Sequence, residues 1–245
     1  MNRPAGFVEI RQGADICWLR EDSLPSLSTD LFEPSFWQAR NAVTGTATGR
    51  GTTWFVRHGA HDMVLRHYRR GGLLGRLVKD LYAGLNAGSS RAMRELALLA
   101  EMRAEGLPVP EPIGSRLRRV GPLYRADLLI GRISSASDLL VLLQAGPLSA
   151  GQWQQIGSMI ARFHAAGIDH TDLNIHNILL DDAGQSWLID FDKCGRRAPG
   201  AWQQANLARL LRSLRKEKEL HSGLHWIEQD WLLLQEGYES RGQRG

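Results

Sequence analysis

The sequence has few cysteines, few lysines and no long apolar run. Its two cysteines, Cys17 and Cys194, are far apart and fit no metal-binding spacing, so we expect free thiols in a reducing compartment. No apolar run approaches the roughly 18 residues that a membrane-spanning helix requires. The N-terminal sequence MNRPAGFVEI lacks the apolar core of a secretion signal. Together these absences predict a protein that stays in the cytosol.

Arginine supplies most of the positive charge, because only four of the 30 basic residues are lysines. The net charge is +4, and the stretch from Lys193 to Lys216 contains seven basic residues and no acid. A second basic group, diluted only by Asp62, consists of Arg50, Arg57, Arg66, Arg69 and Arg70. Such groups are either solvated faces or contacts for an anionic substrate or an anionic lipid surface. We expect no nucleic-acid partner, because no binding motif accompanies the charge.

The most informative stretch runs from His170 to Lys193 and combines HTDLNIHNILL with WLIDFDK. Two short apolar segments around a DAG turn predict a β-hairpin that brings Asn177 and Asp190 together, with Asp172 in the loop before it. Phosphoryl transfer requires a carboxylate for the attacking hydroxyl and oxygen ligands that hold magnesium on the nucleotide phosphates. A loop rich in Asp and Asn between two buried strands would explain one motif, but not both at this spacing.

This pattern resembles the HxDxxxxN and DFG motifs of protein-kinase-like phosphotransferases. The resemblance implies an α+β, two-lobed fold with a small antiparallel-sheet N-lobe and a mainly helical C-lobe. It implies ATP and Mg²⁺ as cofactors, Asp172 as catalytic base, and Asn177 and Asp190 as magnesium ligands. HTD stands in place of HRD, DFD stands in place of DFG, and no APE segment follows. We therefore expect no control by phosphorylation of an activation loop.

The apolar pattern along the chain fits a strand-rich first half and a helical second half. We predict strands at residues 52–57, 63–68 and 123–133, and helices at 91–105, 201–220 and 230–238, with another helix beginning after Ser149. The segment LPVPEPIG is predicted to be an extended connector. The predicted domains are a loosely patterned extension packing on the N-lobe at 1–45, a nucleotide-phosphate-binding N-lobe at 46–131, and a C-lobe with catalytic and metal-binding loops at 132–245.

The predicted strands of the first half contain no lysine that could contact the nucleotide phosphates. Kinases place such a lysine on a strand and pair it with a helix glutamate. Arg66, in MVLRHY, is the best substitute, because arginine supplies the charge and forked donors. Its predicted partner is Glu95, the first acid of the predicted helix. Gly49 and Gly51 are the predicted phosphate-covering loop, although a lone GxG is a weak signal.

Four segments, VLRHYRRGG, RELALLAEMRAEGLPVP, GIDHTDLNIHNILLD and WLIDFDK, look like the 3-deoxy-D-manno-octulosonic acid (Kdo) kinase family. The resemblance implies transfer of the ATP γ-phosphate to the 4-hydroxyl of Kdo on a lipid A precursor, Kdo-lipid IVA, in lipopolysaccharide core biosynthesis. It implies a peripheral protein on the cytoplasmic side of the inner membrane, whose anionic surface is a further partner. No obligate protein partner is evident. Because this acceptor carries a carboxylate and phosphates, the predicted substrate-binding residues are Arg69, Arg70, Arg196 and Arg197.

Two other functions fit parts of the pattern. A heptose kinase of the lipopolysaccharide core would need the same catalytic groups and would also take an anionic acceptor. A non-catalytic nucleotide-binding regulator would explain the missing strand lysine. It would not explain why Asp172, Asn177 and Asp190 are all present.

Overall fold

The computed structural model describes residues 2–22, 27–48, 52–68, 80–83 and 90–242. They form two compact units with a large antiparallel sheet and several helices, which confirms the predicted α+β class. The first unit comprises Met1–Ala104 and Pro110–Arg132, and the second comprises Glu105–Val109 and Ile133–Gly245.

The described part of the first unit contains one antiparallel sheet of eight strands. The strands are β1 (Phe7–Gln12), β2 (Asp15–Arg20), β3 (Val43–Thr48), β4 (Thr52–His58), β5 (His61–His67), β6 (Tyr82–Ala83), β7 (Pro112–Val120) and β8 (Leu123–Gly131). Across the sheet they follow the order β1-β2-β7-β8-β5-β4-β3, and β6 pairs with β8. The α-helices in the described part of this unit are α1 (Pro34–Gln38) and α2 (Arg91–Ala104).

The β4–β5 hairpin, β8 and α2 form where the sequence predicts them. Gly59 in the hairpin turn has a φ of +56°, which glycine adopts without steric strain. Thr53 of β4 pairs with Arg66 of β5, which pairs in turn with Leu128 of β8. Because α2 packs against β7 and β8, this register brings Arg66 close to the helix.

The sequence analysis assigns no strand to the loosely patterned extension at residues 1–45, and the structure has two complete strands there. Strands β1 and β2 continue the sheet beyond β7. Leu31, Phe32 and Trp37 belong to the same hydrophobic core as buried side chains of the sheet. Five of the six residues of β2 are buried, so the strand lacks the polar alternation that reveals a half-exposed strand. The predicted connector likewise contains the start of β7, because proline is tolerated at the first position of a strand, here Pro112.

The second unit is mainly helical. Its helices are α3 (Leu139–Ala145), α4 (Ala150–Ala165), α5 (Ala201–Leu220) and α6 (Glu228–Gly242). Its short strands are β9 (Ala136–Asp138), β10 (Ile168–Asp169), β11 (Ile178–Asp181), β12 (Ser186–Leu188) and β13 (Gly195–Arg196). As predicted, Ser149 and Gln152 form a capping box at the start of α4.

Helices α4 and α6 approach each other closely through two glycines. A Cβ on Gly157 of α4 would overlap the backbone of α6 at Leu234, and a Cβ on Gly237 of α6 would overlap the backbone of α4 at Gln154. The hydroxyl of Tyr238 in α6 also lies 2.8 Å from Nδ1 of His164 in α4. Helix α4 leads directly into β10, so the packing of α4 against α6 fixes the position at which β10 begins.

Neither cysteine forms a disulfide, as predicted: Cys17 and Cys194 are both buried free thiols. Burial raises the pKa of the Cys17 thiol to about 12, so this group stays protonated and unreactive. Within the described ranges, no helix combines the length and the apolar character that crossing a membrane requires.

Candidate active site

The loop between β10 and β11 carries the predicted catalytic base and is held by two side-chain amides. Nδ2 of Asn177 and Nδ2 of Asn174 each donate to the backbone carbonyl oxygen of Asp172 at 2.9 Å. Asn177 is buried, whereas Asp172 is exposed. The loop backbone is therefore fixed while the Asp172 carboxylate stays accessible to a hydroxyl acceptor.

His170 connects this loop to the segment that carries Asp190. Its Nε2 lies 2.9 Å from the carbonyl oxygen of Ile189, and its ring meets that of Phe191 edge-on at 5.0 Å between centroids. Burial lowers the pKa of His170, so the imidazole is neutral at neutral pH. Because a carbonyl oxygen only accepts, Nε2 carries the proton and donates it in this contact. His170 thus holds the loop in place.

The β11–β12 hairpin brings the backbones at Asn177 and Asp190 together, as the sequence predicts. Ile178 pairs with Leu188 across the hairpin, and the amide of Ile189 donates to the carbonyl oxygen of Asn177 at 3.0 Å. Strand β12 ends at Leu188. Asp190 then adopts a φ of +64°, a left-handed conformation that is uncommon for a residue other than glycine. This turn of the backbone ends the strand and reorients the chain at the predicted ligand.

The side-chain oxygens at this end of the hairpin suit a magnesium ion that also binds substrate phosphates. They do not suit a metal ion that is coordinated by protein side chains alone. Among the described residues, no cluster of three or more His, Cys, Asp and Glu side chains could hold a metal ion. The amide oxygen of Asn177 and the carboxylate of Asp190 are hard ligands of the kind that Mg²⁺ takes. Magnesium usually binds one or two such groups together with water and substrate phosphates. The donor set therefore fits magnesium delivered with a nucleotide.

In the first unit, the structure brings Arg66 and Glu95 together as predicted. Nη2 of Arg66 lies 2.8 Å from both carboxylate oxygens of Glu95. The Glu95 side chain is 2% exposed, whereas that of Arg66 is 25% exposed. The buried carboxylate thus has a cationic partner, and the guanidinium remains partly accessible.

Tyr68 is a third member of this group that sequence analysis missed. Its hydroxyl donates to Oε2 of Glu95 and accepts from Nη2 of Arg66 at 3.3 Å. Tyr68 continues the pairing of β5 with β8, because its amide donates to the carbonyl of Ala126 at 2.9 Å. The available signal was the spacing, since residues two apart on a strand point to the same face.

Comparison with known proteins identifies the family of the chain. The model of the lipopolysaccharide kinase (Kdo/WaaP) family matches residues 34–238, which is most of the chain. The chain belongs to this family. The predicted resemblance is thereby confirmed, and the two-unit α+β structure agrees with the protein-kinase-like fold that it implies.

Several curated relatives carry the same name. A 3-deoxy-D-manno-octulosonic acid kinase of Vibrio parahaemolyticus is 46% identical over 228 residues, covering 93% of this chain and 95% of the relative. One of Vibrio vulnificus is 50% identical over 219 residues, covering 89% and 92%. One of Photobacterium profundum is 44% identical over 222 residues, covering 91% and 94%.

Four residues predicted to contact ligands in this Kdo/WaaP family member lie outside the described residues. They are Gly49 and Gly51 of the predicted phosphate-covering loop and Arg69 and Arg70 of the predicted acceptor site. Their roles stay predictions.

The other two predicted acceptor-binding residues have partners within the second unit. Arg196 donates to Glu105 and to the carbonyl oxygen of Ala166, the latter at 2.8 Å. Arg197 lies 2.8 Å from the buried Asp169. These contacts join β13 to the end of α4 and to β10. Both guanidiniums therefore stabilise the structure next to the loop of the predicted base Asp172, and their role in acceptor binding stays a prediction.

Proposed function

We propose that this protein is a Kdo kinase that transfers the γ-phosphate of ATP to the 4-hydroxyl of Kdo on a lipid A precursor, Kdo-lipid IVA. The observation that carries the proposal is the catalytic loop of a chain similar to named Kdo kinases over about nine-tenths of its length. In this loop, Asn177 holds the backbone of Asp172 through a 2.9 Å hydrogen bond. The backbone of Asp172 is therefore fixed, and its exposed carboxylate is accessible to the hydroxyl group of an acceptor.

We assign Asp172 as the general base. Its carboxylate oxygen accepts the proton of the acceptor hydroxyl as the oxygen of that hydroxyl attacks the γ-phosphorus. The backbone of the residue is held by the amides of Asn174 and Asn177. His170, neutral and buried, keeps the loop against the segment of Ile189. Positioning of this kind accounts for much of the rate in phosphoryl transfer.

We assign Asn177 and Asp190 as the residues that hold magnesium with the nucleotide. When bound, the ion would neutralise charge on the phosphates that otherwise repels the attacking oxygen. Asn177 supplies a neutral oxygen, and its amide nitrogen is already used at Asp172. Asp190 supplies a negative charge that compensates part of the charge of the ion.

We assign Arg66 to the nucleotide phosphates, with Glu95 as the group that orients it. The guanidinium is partly accessible, and the carboxylate that fixes it is buried. Arginine replaces the usual lysine with a planar donor group, which matches phosphate oxygens through paired hydrogen bonds. Gly49 and Gly51 remain the proposed covering loop.

We propose an anionic acceptor on the cytoplasmic side of the inner membrane, reached by a peripheral protein. Arg69 and Arg70 are the proposed contacts for the carboxylate and phosphates of this acceptor. Arg196 and Arg197 are weaker candidates, because each already has a carboxylate partner at Glu105 or Asp169. A purely electrostatic contact at this surface would weaken as salt is added.

The test is phosphate transfer by the purified full chain, detected as the mass increase of the acceptor. We expect Kdo-lipid IVA to gain one phosphate in the presence of ATP and magnesium. If that acceptor is inert and a heptosylated one is phosphorylated, the protein is instead a heptose kinase. If nucleotide binds and no acceptor turns over, the regulator hypothesis replaces both.

A further inference from the structure

Helix α5 of the second unit has one buried face and one exposed face of opposite character. The buried face is apolar and contains Leu207, Leu210 and Leu214. The exposed face contains Arg209, Arg212 and Lys216, spaced three and four residues apart. This spacing places their side chains in one stripe along the helix.

The positive charge of this stripe is largely uncompensated. Within the described residues, neither Arg209 nor Arg212 has a carboxylate partner, and Lys216 lies 3.9 Å from Glu217. Glu217 is buried, and Glu219 is the only exposed acid on α5. Its position near the end of the helix leaves the centre of the exposed face positive.

Three large apolar side chains are exposed at the end of α5 and around the start of α6. Leu220 at the end of α5 is 63% exposed, Ile227 just before α6 is 61% exposed, and Leu232 is 49% exposed. Arg215 of α5 pairs with Glu228 at the start of α6 at 2.8 and 2.9 Å, which joins the two helices here. Ile227 directly precedes Glu228, and Leu232 follows it by one helical turn on the same side. Basic and apolar groups thus share one surface.

The side of the same helix that adjoins this stripe contacts the loop of Asp172. The amide of Ile175 donates to Oγ of Ser213 at 3.3 Å, and Nε2 of His176 lies 3.6 Å from Oε1 of Glu217. Ser213 is four residues after Arg209 and three before Lys216, so the loop of Asp172 lies beside the stripe.

We propose that this surface docks the protein on an anionic phospholipid bilayer. We name it the α5 surface, and its residues are Arg209, Arg212, Lys216, Leu220, Ile227 and Leu232. Basic side chains beside exposed apolar ones are what an interfacial contact needs, because the charges meet lipid headgroups and the apolar groups enter the boundary of the acyl chains. The choice of a bilayer as the partner rests on the proposed function, in which the acceptor is a lipid.

The test is co-sedimentation of the full chain with lipid vesicles that contain neither acceptor nor nucleotide. We expect the wild-type protein to bind vesicles of phosphatidylglycerol and phosphatidylcholine, and to bind pure phosphatidylcholine much more weakly. A charge variant should lose about fivefold in binding for each residue, so on the order of 100-fold for all three. Its substitutions are Arg209→Gln, Arg212→Gln and Lys216→Gln.

An apolar variant and a charge-matched control separate this surface from net charge. The apolar variant carries Leu220→Gln, Ile227→Gln and Leu232→Gln. The control carries Arg40→Gln, Arg103→Gln and Arg119→Gln, all exposed positions of the first unit. At 1 M salt, where the Debye length falls to about 3 Å, the deficit of the charge variant should shrink and that of the apolar variant should remain. The control should bind like the wild type.

Several outcomes would overturn the proposal. Wild-type protein that ignores anionic vesicles would do so, as would a control that loses as much binding as the charge variant. If the protein binds no vesicles and instead forms a dimer that the apolar substitutions dissociate, the α5 surface is an interface with a second copy of the chain. If the charge variant does not fold, the apolar variant and the salt series of the wild type still decide.

The proposed function fails separately. If the protein binds vesicles but does not transfer phosphate to Kdo-lipid IVA, the docking role of the α5 surface is supported and the proposed function is refuted. If it transfers phosphate but does not bind vesicles, the proposed function is supported and the docking role is refuted.

Discussion

The side-chain amide of Asn177 has two tasks that substitutions can separate. Its nitrogen donates to the carbonyl oxygen of Asp172 at 2.9 Å, and its oxygen is the atom that we propose binds magnesium. Asn177→Asp keeps an oxygen ligand, but it places a carboxylate oxygen against a carbonyl oxygen where a donor was. Asn177→Ala removes both the ligand and the donor.

The structure sets the size of the effect on the loop. Leaving a buried polar group without its partner costs about 1–3 kcal/mol. Here Nδ2 of Asn174 still donates to the same carbonyl oxygen at 2.9 Å, so we expect a cost near the lower limit. A loss of about 1–1.5 kcal/mol corresponds to a reduction in kcat of roughly 5- to 13-fold.

The assay is kcat together with the magnesium concentration that gives half-maximal rate at fixed ATP. Asn177→Asp should lower kcat and keep a magnesium requirement close to that of the wild type. Asn177→Ala should lower kcat and raise the magnesium requirement. Asn174→Asp is the matched control, because it replaces a donor to the same oxygen, keeps an oxygen for the amide of His176, and leaves both proposed ligands in place. An unchanged kcat in Asn177→Asp, or an unchanged magnesium requirement in Asn177→Ala, would refute the two-task interpretation.

Three further predictions concern the base, the nucleotide-binding group and a buried histidine. Asp172→Ala should reduce turnover by on the order of 10²–10⁴ while ATP binding persists; a variant that keeps more than a tenth of the activity excludes Asp172 as the base. Arg66→Lys should retain partial activity, whereas Arg66→Ala and Glu95→Ala should strongly raise KM for ATP. Tyr68→Phe should raise KM for ATP by a smaller factor and leave kcat unchanged. A lower kcat with an unchanged KM would contradict the role assigned to this group of residues in nucleotide binding. Burial lowers the pKa of His164 to about 4, below its unfolded value of about 6.5, so the unfolded chain binds the extra proton and acid destabilises the fold. Between pH 7 and pH 5 the free energy of unfolding of the wild type should fall by about 2 kcal/mol more than that of His164→Gln; equal falls in denaturant titrations would reject this.

Sequence analysis predicted the backbone arrangement of the candidate site where its residues lie close together along the chain. Asp172, Asn177 and Asp190 lie close together along the sequence, and a short turn between two strands determines how the backbones of the last two approach. The Arg66–Glu95 pair was predictable for another reason. Kinases pair a strand lysine with a helix glutamate. The predicted strands have arginine and no lysine, and Glu95 is the first acid of the predicted helix; the structure places Arg66 and Glu95 in contact.

Other contacts depend on residues that only the fold brings together. Sequence shows that Arg196 and Arg197 are basic, but not that Arg196 meets Glu105, 91 residues earlier. Nor does it show that Asp169 is buried beside Arg197 and needs a counter-ion. Counting charges along a chain therefore overestimates how many are available to a ligand. The exposed face of α5 became distinguishable from the rest of the basic stretch only through burial and pairing.

The two glycines that join α4 and α6 have a consequence for the freedom of movement of the catalytic loop. Since each glycine lies against the backbone of the other helix, a slide of either helix would bring a neighbouring residue with a side chain into a space that holds none. The nearest residues on the same face of each helix are three or four positions away, about 4.5–6 Å along the axis, and all of them have side chains, so only the observed register keeps both glycines at the contact. Helix α6 contains no residue assigned to catalysis, yet it limits how far the end of α4, and with it the start of the loop at His170, can be displaced.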